Sequence, residues 1–171
     1  YILIGGHLDH LGKCYTTMPG ANDNASAVSV TMGVAKALSK SGIRLKRSVV
    51  FIFLGAEEAG LGGVQYFLKN PTIQPLENMK AYINMDGVGI GNKIWVEFAE
   101  NYPKFYGYLS EANKKLGKHE MSGRYTANIA RPRLDAAFFD WYGIPVLSLS
   151  TYNPPEAFKN SQFLRVCKVN N

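Results

Sequence analysis

Two adjacent carboxylates, Glu57 and Glu58, stand where a predicted strand should end. The apolar run over residues 48–54 is too short for a comfortable helix and is rich in β-branched and aromatic residues, which favours a buried strand. Ligands of open α/β sheets gather beyond the carboxyl ends of the strands. Because neighbouring carboxylates repel each other, this pair requires a cation, a metal ion or a shared proton. The alternative is an ordinary solvated loop that carries two acids.

A histidine and an aspartate follow the first predicted strand in a similar way. Residues 1–4 are apolar, and Gly5 and Gly6 are expected to end the strand just before His7. Alternation along an extended chain puts His7 and Asp9 on one side. There the imidazole can bind a metal ion while the carboxylate fixes its tautomer. The alternative is a histidine with an ordinary hydrogen bond.

Two further acids lie beside predicted elements. Asp23 precedes a helical pattern over residues 25–41, and either Asp23 or Asn24 is expected to cap this helix. The other side chain is then free to point elsewhere. Asp86 follows a predicted strand over residues 80–85, although an aspartate before glycine is also common in turns.

The remaining elements complete an α/β pattern and position these side chains. Short helices are predicted over residues 64–70 and 135–141, a longer helix over residues 103–116, and strands over residues 94–98 and 146–150. Helical spacing assigns these residues of the two longer helices to the core: Val28, Met32, Ala35, Leu38 or Ser39, Phe105, Tyr106, Leu109, Ala112 and Leu116.

Side chains with metal-binding chemistry therefore lie at the ends of several separate elements. A mixture of imidazole and carboxylate ligands suits zinc, with manganese or cobalt as substitutes. There are more carboxylates than one tetrahedral metal needs, which leaves open two metals that share a bridging carboxylate or one metal with a general base. Either arrangement supports metal-assisted hydrolysis.

Taken together and in order, these segments resemble the M28 family of zinc-dependent aminopeptidases and carboxypeptidases. The resemblance covers roughly residues 1–150 and implies an α/β fold with a mostly parallel mixed sheet between helices, as in other zinc peptidases. We expect a single domain over residues 1–171, truncated at the N-terminal edge of the sheet and with an atypical tail over residues 151–171. The segments that carry the resemblance are residues 5–12 (GGHLDHLG), 20–26 (GANDNAS), 55–62 (GAEEAGLG), 84–86 (NMD) and 143–146 (GIPV).

The resemblance also implies which residues of these motifs bind metal. His7 and Asp86 would bind one zinc ion, Asp23 would bridge to a second, and Glu58 would bind that second ion. The predicted activity is an exopeptidase that removes N-terminal residues from peptides. The resemblance also implies a secreted or periplasmic location. The oligomeric state is left open.

Two further residues are predicted to support catalysis on the same resemblance. Glu57 would be the general base that takes a proton from the attacking water and delivers it to the leaving amine. Asp9 would hold His7 through the second ring nitrogen.

One feature departs from the family pattern. The second zinc usually takes a histidine from the loop after the strand that matches residues 146–150, but residues 151–155 read TYNPP. We therefore expect one tightly bound zinc and a second site that is weak or empty, unless His10 or His119 substitutes. The alternative function is a peptidase-like domain that has lost catalysis and serves as a binding or structural module.

Composition excludes several other classes of protein. The net charge is +6, but lysine and arginine are scattered rather than clustered with aromatic residues, so we expect no nucleic-acid partner. Cys14 and Cys167 stand far apart and in no metal-binding pattern. No apolar run reaches transmembrane length. Tyr102, Trp141 and Tyr152 are candidates for the wall of a substrate pocket.

Overall fold

The computed structural model describes residues 1–13, 15–73, 75–117, 119–123 and 133–152. Within these ranges the chain forms eight strands, four α-helices and a 3-10 turn at Leu76–Asn78. The strands are β1 (Ile2–His7), β2 (Gly12–Lys13), β3 (Thr17–Met18), β4 (Val49–Leu54), β5 (Ala81–Met85), β6 (Lys93–Glu97), β7 (Glu120–Gly123) and β8 (Val146–Tyr152). The helices are α1 (Ala25–Lys40), α2 (Gly62–Lys69), α3 (Pro103–Leu116) and α4 (Asp135–Trp141).

Six of the strands form one mixed sheet in the order β4-β1-β5-β8-β6-β7. The neighbours β4, β1, β5 and β8 are all parallel, β6 runs antiparallel to β8, and β7 runs parallel to β6. The short strands β2 and β3 form a separate antiparallel pair. The predicted α/β fold with a mostly parallel mixed sheet is confirmed.

Helices cover both faces of this sheet. Adjacent residues of a strand point to opposite faces, and in β8 Val146 packs with α2 and α4 whereas Leu147 packs with α3. Tyr82 of β5 lies in the first of these cores, with its ring centroid 4.2 Å from that of Phe139 in α4. None of the described helices is long and apolar enough to cross a lipid bilayer.

Strand β1 continues through the two glycines that were expected to end it. A Cβ atom on Gly5 would lie 1.8 Å from the carbonyl oxygen of Ile52 in β4, and one on Gly6 would lie 2.2 Å from that of Met85 in β5. Glycine therefore allows β1 to run close between its two neighbours. The consequence is that His7 is the last residue of the strand rather than part of the following loop.

The strand before the paired glutamates lies at an edge of the sheet, so the prediction that it is buried is wrong. Only Leu54 of β4 is buried, and Phe53 is 37% exposed. Among the described strands only β1 pairs with β4. Its apolar sequence indicated a strand correctly but did not show which position in the sheet the strand takes.

The two longer helices bury partly different faces from those predicted. The residues of α1 that are fully buried are Ala27 and Thr31, and Met32 is 61% exposed. Small side chains at these positions let α1 lie close to β1. In α3, Phe105, Tyr106 and Leu109 pack against the core as predicted, but Leu116 at the end of the helix is 70% exposed.

Candidate metal centre

Three parallel strands bring the predicted site residues together at the carboxyl ends of the strands. His7 ends β1, Glu57 and Glu58 follow β4, and Asp86 follows β5 directly. Asp23 precedes α1, which packs against β1. The predicted metal ligands therefore converge where the carboxyl ends of the strands meet, as expected for an open α/β sheet.

The first cluster consists of His7, Asp23 and Asp86, whose donor atoms all lie within 4.8 Å of one another. The His7 Nε2 atom is 3.2 Å from Asp23 Oδ1 and 3.6 Å from Asp86 Oδ1. Zinc–nitrogen and zinc–oxygen bonds at a tetrahedral ion place two ligand atoms about 3.4 Å apart. The spacing of the three donors therefore fits one zinc ion.

The second cluster consists of His10, Asp23 and Glu58, also with donor atoms within 4.8 Å of one another. The His10 Nδ1 atom is 2.8 Å from Glu58 Oε1. Asp23 belongs to both clusters.

Two atoms at the junction of these clusters are buried without a hydrogen bond to any described residue. They are Asp23 Oδ1 and His10 Nδ1. Each has a polar neighbour within 3.2 Å, His7 and Glu58 respectively, but neither contact is aligned as a hydrogen bond. Buried polar atoms almost always have a partner, so the residues present fit a bound metal. Imidazole and carboxylate donors together suit zinc.

The expected helix cap is absent, and the side chain of Asn24 instead connects α1 to the end of β5. Asn24 occupies the capping position of α1 but makes no capping hydrogen bond. Its buried amide donates to the carbonyl of Met85 at 3.0 Å and accepts from the backbone N–H of Gly87 at 3.2 Å. This pairing fixes the Asp23 loop beside Asp86.

Two more hydrogen bonds join the same loops. The backbone N–H of Val88 donates to Ser26 Oγ at 3.0 Å, and that of Gly89 donates to Asn22 Oδ1 at 2.8 Å. Three consecutive amides after Asp86 are therefore bound by side chains on either side of Asp23.

Asp9 contacts both the histidine and the paired glutamates, but through different atoms from those predicted. The His7 Nδ1 atom lies 3.1 Å from the backbone carbonyl of Asp9, which fits an N–H donor, and 3.7 Å from its nearest carboxylate oxygen. The Asp9 carboxylate instead accepts the backbone N–H groups of Glu57 at 3.1 Å and Glu58 at 3.2 Å. Asp9 thus contacts both the His7 ring and the backbone of the glutamate pair.

The pKa of Glu57 is raised in the metal-free protein. Burial raises the pKa of Glu57 to about 7; the charge of His7 opposes this rise, and the carboxylates of Asp86, Glu58 and Asp23 add to it. A metal dication in either cluster would lower this pKa again.

The pKa of His7 is shifted in the metal-free protein as well. Burial alone would lower the pKa of His7, but its interaction with Asp86 and the charges of Glu57 and Asp23 raise it to about 9. Because a ligating imidazole must be neutral, metal binding at this cluster releases a proton at neutral pH.

Other residues considered from the sequence lie elsewhere. His119 is exposed, and its Nδ1 atom is 3.2 Å from the carbonyl oxygen of Asn92, so it belongs to neither cluster. Tyr102 donates a hydrogen bond to Asp140 at 2.6 Å and lines a cavity with Pro145, just before β8 begins. Tyr102 is therefore at the amino end of β8, and so is Trp141, which directly follows Asp140. Of the three proposed wall residues, only Tyr152 lies at the carboxyl end of β8, at the same end of the sheet as the two clusters.

Asp135 is a carboxylate near the site, and its burial could not be predicted from the sequence. It is 2% exposed, and neither carboxylate oxygen has a hydrogen bond to any described residue. Burial raises the pKa of Asp135 to about 7, with the charge of Glu57 adding to the rise and that of His7 opposing it. An acid in the first turn of a helix is favourable in any case, so sequence alone gave no sign of its burial.

Replacing Asp135 by asparagine should stabilise the metal-free protein increasingly as the pH rises. Below about pH 4 this carboxyl is protonated in both states, and above that pH the unfolded chain loses the proton first, which favours unfolding. The free energy of unfolding of the unaltered protein therefore falls by up to about 4 kcal/mol from this group between about pH 4 and pH 7. Denaturant unfolding in the presence of a chelator should show that the free energy of unfolding of Asp135→Asn falls less steeply with pH than that of the unaltered protein. Parallel curves of this free energy against pH for the two proteins would contradict the raised pKa of Asp135.

Comparison with known proteins identifies the family. The chain matches the model of Peptidase family M28 over residues 1–162 and belongs to that family. The match extends past residue 150, where the motif resemblance ends.

Individual relatives agree with this assignment. The chain is 27% identical over 167 residues to a vacuolar membrane protease of Candida glabrata, covering 94% of this chain and 16% of that protein. It is 34% identical over 91 residues to an aminopeptidase of Pseudomonas aeruginosa, covering 53% of this chain and 16% of that protein. The solved structure of BSAP, a zinc aminopeptidase from Bacillus subtilis, is similar with a TM-score of 0.73 and 25% identity, over 90% of this chain and 37% of that one. The chain thus spans well under half the length of each of these proteins.

Proposed function

We propose that this chain is the catalytic domain of a zinc-dependent exopeptidase that hydrolyses N-terminal residues from peptides. The observation that carries the proposal is the His7, Asp23 and Asp86 cluster. Glu57 lies close enough to this cluster that the charges of all three residues shift its pKa. Three protein ligands leave one tetrahedral position open, which is the arrangement of a catalytic rather than a structural zinc site.

The cluster residues have separable tasks in this reaction. A zinc ion held by His7, Asp23 and Asp86 would supply Lewis-acid activation of the attacking water and of the scissile carbonyl. The backbone carbonyl of Asp9 keeps the His7 Nδ1 proton in place, so that Nε2 presents its lone pair to the ion. This tautomer directs the imidazole towards both aspartates of the cluster.

Glu57 is the proposed general base. It takes a proton from the attacking water and passes it to the nitrogen of the leaving amine as the carbon–nitrogen bond breaks. The backbone N–H groups of residues 57 and 58 donate to the carboxylate of Asp9, which holds the backbone that carries Glu57.

The preference for the amino end of a peptide is supported by the relatives. The Pseudomonas aeruginosa relative is named as an aminopeptidase, and the Bacillus subtilis structure is described as a zinc aminopeptidase. A secreted or periplasmic location stays a prediction.

Hydrolysis of a panel of amino-acid p-nitroanilides by the purified chain tests the proposal. We expect cleavage of substrates with a free amino group, loss of activity after dialysis against a chelator, and recovery on addition of zinc. N-acetylated versions of the same substrates serve as the matched control and should not be cleaved. Zinc binding without cleavage of any substrate would contradict the proposal and favour the inactive peptidase-like module, and activity that survives complete metal removal would contradict the role of zinc.

A further inference from the structure

We propose that His10 is the imidazole ligand of a second zinc ion, together with Asp23 and Glu58, in place of the histidine that family members take from the loop after the last strand. This inference rests on the proposed function, since it concerns the same metal centre. Of the described histidines, His7 belongs to the first cluster and His119 lies outside both. His10 is the imidazole that lies with Asp23 and Glu58 in the second cluster.

His10 and Glu58 approach each other closely without forming an aligned hydrogen bond. Their nearest atoms, Nδ1 and Oε1, are 2.8 Å apart, yet Nδ1 is buried and has no aligned hydrogen bond to any described residue. An ion pair formed for its own sake would align the N–H with a carboxylate lone pair. Together with Asp23, whose donor atom lies within 4.8 Å of both, these two atoms are close enough to bind one metal ion.

The position of the His10 ring is fixed by the backbone opposite. A Cβ atom on Gly20 would lie 2.6 Å from His10 Cβ and 2.7 Å from Cγ, and Gly20 has a φ of +65° that favours glycine. Gly20 is close to Asp23 as well, because the same Cβ would lie 2.6 Å from the Asp23 carbonyl oxygen. The absence of a side chain at Gly20 thus lets the imidazole approach the loop that carries the shared aspartate.

The two clusters have the same set of donor groups. Each contains one imidazole, the carboxylate of Asp23 and one further carboxylate, from Asp86 in the first and from Glu58 in the second. They differ in the ring nitrogen that is presented, which is Nε2 of His7 and Nδ1 of His10. Because the donor sets match, the zinc affinity of the second cluster should be close to that of the first. The second site is then neither weak nor empty, contrary to the expectation from the sequence.

Zinc binding by the whole chain and by two histidine variants tests this assignment. After dialysis against buffered zinc, elemental analysis should find two zinc ions per unaltered chain and two per His119→Ala chain, the matched control. His10→Ala should keep one ion at the original affinity and bind the second at least about 100-fold more weakly, since even groups that only orient ligands are worth 10- to 100-fold in affinity. Circular dichroism tests whether each variant is folded. If His10→Ala does not fold, His10→Asn takes its place in the zinc-binding measurement.

Nitrogen NMR of the unaltered protein gives an independent result that needs no variant. Titration of the ¹⁵N-labelled chain with zinc should shift Nε2 of His7 and Nδ1 of His10, and leave both nitrogens of His119 unmoved. One bound zinc with unshifted His10 signals would overturn the inference and leave the proposed function intact. Two bound ions of unchanged affinity in His10→Ala would also overturn it, and no bound zinc at all would overturn both proposals.

Discussion

Glu57→Gln should lower kcat for aminoacyl p-nitroanilides by about 10³-fold while the zinc content of the protein stays unchanged. Glutamine has the same shape but cannot accept the proton of the attacking water, and general base catalysis accounts for about 10²- to 10⁴-fold in rate. Glu57 is absent from both groups of donor atoms, which is why its replacement should spare metal binding. The measurement is steady-state kinetics beside elemental analysis of the same preparation.

The pH dependence of the same variant provides a second result. Glu57 acts when it is deprotonated, so kcat/KM of the unaltered enzyme should rise with pH through the pKa of this group. That pKa is about 7 without metal and lower with zinc bound, so the rise should fall below pH 7 and should be absent in the variant. Glu100→Gln, at an exposed glutamate, is the control and should retain both rate and profile. Full activity in Glu57→Gln would remove this residue from the mechanism.

Asp23→Asn should abolish tight zinc binding at both clusters and with it all measurable activity. Asp23 is the only residue that the two groups of donors share, and an amide oxygen is a much poorer ligand for zinc than a carboxylate. The unaltered protein should gain about 4 kcal/mol of stability for each occupied site at a zinc concentration about 1,000 times the dissociation constant of that site. The variant should show no such gain, which thermal unfolding with and without zinc will measure.

The metal-free variant should be as stable as the metal-free unaltered protein, or more stable. Burial and the neighbouring charge of Asp86 raise the pKa of the Asp23 carboxyl, so its ionised form opposes folding when no metal is present. Asp86→Asn and Glu58→Gln are the matched variants, since each removes a ligand from one cluster alone. Retention of two tightly bound ions by Asp23→Asn would show that Asp23 is not a shared ligand.

Much of the metal centre was predictable because parallel strands impose their own geometry. An apolar run followed by His7, one followed by Glu57 and Glu58, and one followed by Asp86 must all end at the same edge of a sheet if the strands are parallel neighbours. The bounds of α3 and α4 followed from helical spacing and from flanking proline and glycine. These inferences depend on local sequence and on a single rule of topology.

The features that the sequence did not predict depend on contacts between distant segments. The approach of His10 to Glu58 requires the close packing of Gly20 against the imidazole ring. The Asp9 carboxylate binds the backbone of residues 57 and 58, more than 40 residues further along the chain. The burial of Asp135 depends on how α4 packs on the sheet. Neither hydropathy nor spacing contains this information.

The hydrogen bonds between the Asp23 loop and the three amides after Asp86 have a consequence for the rate at which metal enters and leaves. They hold the two aspartates of the first cluster side by side in the folded, metal-free chain. The conformational entropy of ordering these loops is therefore lost when the chain folds, and little remains to be lost when zinc arrives. Zinc uptake by the folded chain should then be limited by diffusion and by proton release from His7, and its loss by breakage of the zinc–ligand bonds, with no loop rearrangement in either direction.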